Sequence, residues 1–214
     1  MPNIGETHEN LDHKVYTTLR NMITERKLLP GQKIPQEKLA HDLGISRTPL
    51  ISALKFLEKE KIVESKPRRG FFVRLFELQE LINIFELREV LEGLAARRAA
   101  MQITSQQINT LKTFFTSFHE DQDIRDYKAY AQEDRKFHIF IAEIGSKEFL
   151  KSILETYNII IYSYQLVNSE GLVRPPNETV HEHFAIIDAI RNGDAENAEK
   201  HMRMHFRKSM MKLT

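Results

Sequence analysis

Apolar residues recur at helical spacing near the start of the chain, at Leu11, Val15, Leu19, Met22 and Ile23. This pattern predicts an opening helix capped by Asn10, with Pro30-Gly31 closing the loop behind it. A shorter helix follows through Lys38, Leu39, Ala40 and Leu43 and ends at Gly44. Ser46 then reads as an N-cap, with Pro49 in the first turn, where a missing N–H costs little. The helix it opens runs to about Lys59 and buries Leu50, Ala53, Leu54 and Leu57. Beyond it the period changes. Ile62-Val63 and Phe71-Phe72-Val73 are β-prone runs flanking the turn-prone stretch Ser65-Lys66-Pro67-Arg68-Arg69-Gly70, which is a hairpin signal. Three helices and a β-wing form the winged helix-turn-helix plan.

From Phe76 onward strand signals vanish, and long helical patterns cover about 78–101, 105–119, 127–145, 148–168, 177–191 and 195–210. Thr104-Ser105, Asp121-Gln122-Asp123, Gly145-Ser146, Gly171 with Pro175-Pro176, and Gly193-Asp194 punctuate them. The expected fold is mainly α: a winged helix-turn-helix over 8–75, then an all-α bundle of six or seven helices over 76–214. No internal repeat or low-complexity tract interrupts it.

Composition narrows the class. Cysteine is absent, which excludes disulfide scaffolds, thiolate zinc sites and cysteine nucleophiles. No stretch approaches the roughly 20 apolar residues of a membrane span, and Met1–Asn10 is too polar for a signal peptide, so a cytoplasmic protein is expected. The net charge of +1 hides an asymmetry. Residues 1–75 carry 14 Lys/Arg against 9 Asp/Glu, and residues 76–214 carry 17 against 21. A basic first part on an acidic remainder suits one unit that meets a polyanion and one that does not.

In a helix-turn-helix the second helix of the pair enters the major groove by its N-terminus. Here that helix begins Ser46-Arg47-Thr48. An Arg at this point suits a guanine edge, while the hydroxyls and the helix N-terminus suit phosphate oxygens. Lys55 lies further along, and the hairpin tip carries Lys66, Arg68, Arg69 and Gly70 toward backbone or minor groove. The run from Leu29-Pro30-Gly31 through Leu39-Ala40, Leu43-Gly44-Ile45-Ser46-Arg47-Thr48-Pro49 and Gly70-Phe71-Phe72-Val73 resembles the DNA-binding domain of the GntR family of bacterial transcription regulators. The resemblance implies a homodimer on palindromic operator DNA, one half-site per winged domain. Ile51-Ser52 stands where the family usually has Arg-Glu, Pro35-Gln36 replaces the usual Glu, and Lys61 the usual Gly before the wing. These departures imply an altered operator, read mainly by Arg47, Thr48 and the wing.

The second part holds a different chemistry. Asp134 and His138 are spaced i, i+4 on one helix face, and His181, His183, His201 and His205 follow on later helices. One Asp with two or three His and no Cys suits a divalent cation such as zinc, nickel, cobalt, iron or manganese, zinc foremost. An i, i+4 Asp/His pair is also common as a plain polar contact. Leu87-Arg88-Glu89-Val90-Leu91-Glu92, Asp134-Arg135-Lys136-Phe137-His138, Glu182-His183 and Met202-Arg203-Met204-His205 resemble the all-helical effector domain (FCD type) of the FadR-like branch of that family. The resemblance implies a metal held by Asp134, His138, His183 and His205, and Arg88 pairing with a small carboxylate effector. Otherwise Arg88 forms an i, i+4 pair with Glu92. His181 should point roughly 200° away from His183, and His201, one turn before His205, should face solvent or stand just behind the ligands. His8, His13, His41 and His119 are read as surface residues, and Phe137, Phe140, Tyr157, Tyr162 and Tyr164 as core or dimer packing.

The expected function is a transcription regulator, a repressor by family habit, whose operator affinity answers to that effector, and not an enzyme. The alternatives are a regulator responding to the metal itself and a metal-dependent hydrolase. The hydrolase lacks an HExxH-type ligand-and-base pair and leaves the winged domain unexplained.

Overall fold

The computed structural model describes residues 6–118, 123–163 and 172–213. The chain divides into two compact units between Phe76 and Glu77.

The first unit holds α1 (Glu6–Thr24), α2 (Gln36–Asp42), α3 (Arg47–Lys59), β1 (Val63–Lys66) and β2 (Gly70–Val73). Val15, Leu19 and Ile23 of α1 pack with Leu50, Ala53, Leu54 and Leu57 of α3, all buried. Leu11 stays exposed. Asn10 does not cap α1, because the helix starts a turn earlier, at Glu6. The run from Glu6 to Asn10 contains neither Gly nor Pro, so no helix breaker stops α1 at the Asn. Ser46 does occupy the N-cap of α3 with extended backbone, although its side chain makes no capping bond. The strands pair antiparallel with Val63 opposite Val73 and Lys66 opposite Gly70. A third segment covers the far edge of β2: Ile34 N donates to Phe71 O, and Gly31 N to Val73 O, each at 2.9 Å. Gly70 turns the wing at φ +91°, where a side chain would be strained and a Cβ would sit 2.8 Å from Gln36 Nε2.

The second unit is all-helical among its described residues: α4 (Leu78–Gln102), α5 (Ser105–Leu111), α6 (Tyr127–Gly145), α7 (Lys147–Ser163), α8 (Pro176–Arg191) and α9 (Ala195–Met211). Thr104, Asp126 and Asp194 cap α5, α6 and α9 with side-chain oxygens. Helix α4 is the centre, packed on α6, α8 and α9. Glu89 meets Arg203 and Arg207 while Arg97 meets Glu199, so α4 and α9 run antiparallel. The approach of α4 to α6 is very close: a Cβ on Gly145 would lie 1.8 Å from the Ala95 carbonyl oxygen. Helix α5 ends at Leu111, well short of the expected 119. Its chain leaves through turns in which Phe115 adopts φ +61°, and Phe114 and Phe115 fold into the core. Aromatic burial there wins over continued helix. The expected extension of α7 to 168, its neighbour Gly171, Tyr164 and Gln122 lie outside the described residues, as do His119 and the side chains of His8 and Tyr162. Among the described residues no helix is long and apolar enough to cross a membrane.

Candidate functional site

Four side chains from three helices converge inside the second unit. Asp134 and His138 come from one face of α6, His183 from α8 and His205 from α9. One ligand atom from each lies within 4.8 Å of all the others. Asp134 Oδ1 is 3.2 Å from His183 Nε2 and 3.8 Å from His138 Nε2. The three imidazoles are buried, and Asp134 keeps 17% of its side chain exposed.

What orients the rings is a layer behind them. His138 Nδ1 lies 2.5 Å from Glu92 Oε2, His183 Nδ1 2.9 Å from the Tyr130 hydroxyl, and His205 Nδ1 2.8 Å from Glu182 Oε2. Each outer partner is itself held. Glu92 Oε1 accepts from Arg88 Nε at 2.7 Å, the Tyr130 hydroxyl pairs with Thr179 Oγ1 at 2.8 Å, and Glu182 takes both terminal nitrogens of Arg174. With all three Nδ1 atoms committed outward, the Nε2 atoms turn toward Asp134. His183 Nε2 is fully buried, and its polar neighbour, Asp134 Oδ1 at 3.2 Å, is not aligned to close a hydrogen bond. An orphaned polar atom of this kind is expensive unless something unseen satisfies it. A divalent ion fits that vacancy of bonding, since metal-bound His characteristically donates its other ring N–H to a carboxylate or hydroxyl. Phe115 stacks flat on His183 at 4.4 Å between centroids and helps fix that ring.

The protonation states suit the same chemistry. Burial holds His205 down to about 3 and pushes His183 below the ordinary imidazole value. Burial alone would raise the Asp134 carboxyl, but the His183 ring and the neighbouring imidazoles outweigh it and hold it well below the usual range. Asp134 is therefore a carboxylate facing neutral imidazoles at His183 and His205, the form that binds metal without first releasing protons.

The four residues that the resemblance implies as ligands are brought together by the fold into one cluster. Arg88 is 3% exposed, bonded to Glu92 and set over the Phe206 ring at 4.6 Å. His181 is exposed and His201 half-buried on outer surfaces, and His13 and His41 are exposed. Sequence reasoning missed Tyr130, Thr179, Arg174 and the roles of Glu92 and Glu182. Only the adjacency of Glu182 to His183 and the i, i+4 step from Arg88 to Glu92 hinted at them.

In the first unit Ser46, Arg47 and Thr48 at the start of α3 are exposed, as is Lys55 further along it. Arg47 Nη1 lies 3.5 Å from Glu37 on α2. At the wing, Arg68 adopts φ +60° at the tip, while Lys66 Nζ and the Arg69 guanidinium lie 4.8 and 5.6 Å from the Phe72 ring centre. Phe72 thus holds two cations at the turn beside Gly70.

Comparison with known proteins agrees with both units. Residues 11–73 match the gntR family of bacterial regulatory proteins, and residues 83–208 match the FCD domain. The uncharacterized HTH-type regulator YdhC of Bacillus subtilis is 27% identical over 199 residues, covering 89% of this chain and 85% of that protein. A protein of Escherichia coli named for regulation of the L-lactate dehydrogenase operon is 29% identical, covering 91% and 83%. The solved structure of E. coli McbR/YncC superposes with a TM-score of 0.79 at 20% identity, over 95% of this chain and 96% of that one, and shares its fold. With a gntR-type winged helix, an FCD bundle and regulators as its relatives, the chain belongs to the GntR family and is a DNA-binding transcription regulator of the FadR-like type, not an enzyme.

Proposed function

We propose that this regulator acts as a homodimeric repressor on palindromic operator DNA and that a small carboxylate, bound at a divalent metal in the helical unit, controls its operator affinity. Residues 8–75 carry DNA binding, and residues 76–214 carry effector binding and dimerisation. Asp134, His138, His183 and His205 hold the metal, zinc by preference, with nickel, iron, cobalt or manganese as substitutes. The metal would anchor and polarise a carboxylate oxygen. The observation that carries this reading is the fully buried His183 Nε2, 3.2 Å from the Asp134 carboxylate with no aligned hydrogen bond, among rings whose other nitrogens are all engaged.

Charge supports an anionic effector. Glu92 is balanced by Arg88, and Glu182 by Arg174 with Lys208 beside it. Only Asp134 is then left to offset a divalent ion, so the loaded centre carries positive charge in a region largely closed to water. Arg88 would meet the second oxygen or a second carboxylate of the effector, since guanidinium matches carboxylate geometry. The relative named for the L-lactate dehydrogenase operon points toward small hydroxy acids as the class to test first.

At the DNA, Arg47 reads a base edge from the start of α3, Ser46 and Thr48 hold phosphate, and Lys55, Lys66, Arg68, Arg69 and Gly70 contact the backbone or minor groove. Effector and operator binding are linked by one coupling free energy, so each changes the affinity of the other by the same factor. A thermal-shift screen of small carboxylates, before and after chelation, tests the reading. A ligand at a hundred times its Kd stabilises by about 2.7 kcal/mol, and chelation should abolish that shift. A chelation-sensitive melting temperature that no acid raises would make the metal structural or itself the signal.

A further inference from the structure

The carboxylate behind His205 is held far more heavily than its charge requires. Glu182 Oε2 accepts from His205 Nδ1 at 2.8 Å and from Arg174 Nη2, while Oε1 accepts from Arg174 Nη1 at 3.0 Å and Lys208 Nζ at 2.8 Å. The other donors of Arg174 also end on α9: Nε donates to Ser209 Oγ at 3.2 Å and Nη2 to the His205 carbonyl at 3.2 Å. Every one of these contacts terminates on His205, on the residue that orients it, or one turn along its helix.

Arg174 nevertheless belongs to no helix. It lies in the irregular run just before α8, is 4% exposed, and follows Leu172 and Val173, which are also buried. An irregular segment that buries a guanidinium does so only when its charge is matched, because an uncompensated buried charge is strongly destabilising. Here the matching partner is the same carboxylate that orients a metal-ligand candidate.

We propose that Arg174 is a positioning residue for the metal centre, acting through Glu182, and that docking of residues 172–174 and metal binding form one coupled equilibrium. This rests on the assignment of the metal to Asp134, His138, His183 and His205. The two-pronged Arg174–Glu182 contact fixes the plane of the carboxylate, the carboxylate fixes His205 through Nδ1, and Nε2 is thereby aimed at the shared centre. An ion that restrains His205 favours the docked segment, and the docked segment favours the ion by the same factor.

The test uses the full-length protein stripped with chelator and titrated with zinc in competition with a chromophoric chelator. Arg174→Ala should weaken zinc binding about 10–100-fold although it lies outside the donor set. Arg174→Lys keeps the charge but lacks the fork and should recover only part of the affinity. Lys208→Met removes a half-exposed contact to the same carboxylate and should change affinity by less than about threefold. Cobalt-loaded Arg174→Ala should show an altered visible spectrum, which Lys208→Met should leave unchanged. In the wild-type protein, zinc should slow hydrogen exchange of the Leu172, Val173 and Arg174 amides. This readout holds even if Arg174→Ala fails to fold. Zinc affinity of Arg174→Ala within threefold of wild type, or exchange at 172–174 indifferent to zinc, would overturn this inference and leave the four-ligand centre standing. Wild-type protein whose zinc binding does not depend on His183 would overturn both.

Discussion

His138 and Glu92 meet across the α4–α6 interface with Nδ1 2.5 Å from Oε2, both buried. The contact ties a metal-ligand candidate on α6 to the central helix of the bundle, and it is in turn tied to Arg88 one turn earlier on α4. A chain of three residues thus joins the helix expected to sense an effector to the ring expected to hold the metal.

Arg88 is structural as well as a candidate effector contact. Replacing it with Ala leaves Glu92 buried beside His138 without its guanidinium, and breaking a buried pair costs about 3–5 kcal/mol. For a chain of this length Arg88→Ala should melt about 6–20 °C lower in the presence of chelator. A drop under about 2 °C would mean that the pair contributes little and that Arg88 is held for ligand binding alone.

Acid should weaken the metal-free protein in a defined window. His205 is held down to about 3 and His183 also lies below its ordinary value, both chiefly by burial. In the unfolded chain such groups titrate near ~6.5. Below that pH the unfolded state gains protons that the folded state refuses, so stability is full above about 6.5 and falls toward 3. The depressed Asp134 carboxyl continues the loss below roughly pH 4. Melting curves of chelator-treated protein should be level between about pH 7 and 8 and fall steadily below. A melting temperature that rises on acidification through pH 6 would contradict the neutral-imidazole assignment.

Arg47→Ala should weaken operator binding by about 1–3 kcal/mol and relax preference at one base pair. Lys66→Ala at the wing should instead lower affinity for all sequences and reduce the salt slope by about 1. Fluorescence anisotropy over a salt series separates the two. Equal effects of both on specific and random DNA would reassign Arg47 to the phosphates.

Gly145→Ala is expected to be severe for so small a change. Its Cβ would lie 1.8 Å from the Ala95 carbonyl oxygen, so α4 and α6 must move apart. Overpacking typically costs about 1–3 kcal/mol, and this contact belongs at the upper end or beyond. The same separation draws Glu92 from His138, so metal affinity should fall with stability. Wild-type zinc affinity in a destabilised Gly145→Ala would uncouple the two.

Periodicity made the helices legible, and the hairpin was legible from two β-prone runs around Pro67 and Gly70. The four ligand candidates were legible only through resemblance, because Asp134 and His205 lie far apart in sequence and spacing alone left His181 and His201 as rivals. The early end of α5 was not readable: Phe114 and Phe115 fit a helical pattern, and only tertiary burial against Phe137 and His183 makes the turn preferable. Tyr130 and Arg174 escaped for a related reason. Nothing local distinguishes a Tyr one turn before Asp134, or an Arg before Pro175, from core and surface residues until the helices are assembled.

The most direct test of the central claim is calorimetric titration of zinc into chelator-stripped protein and into His183→Ala. One ion per chain should bind the wild type, and His183→Ala should lose that binding while keeping its helical circular dichroism. Absence of zinc binding in the wild type, or undiminished binding in His183→Ala, would contradict the metal centre and the effector mechanism built on it.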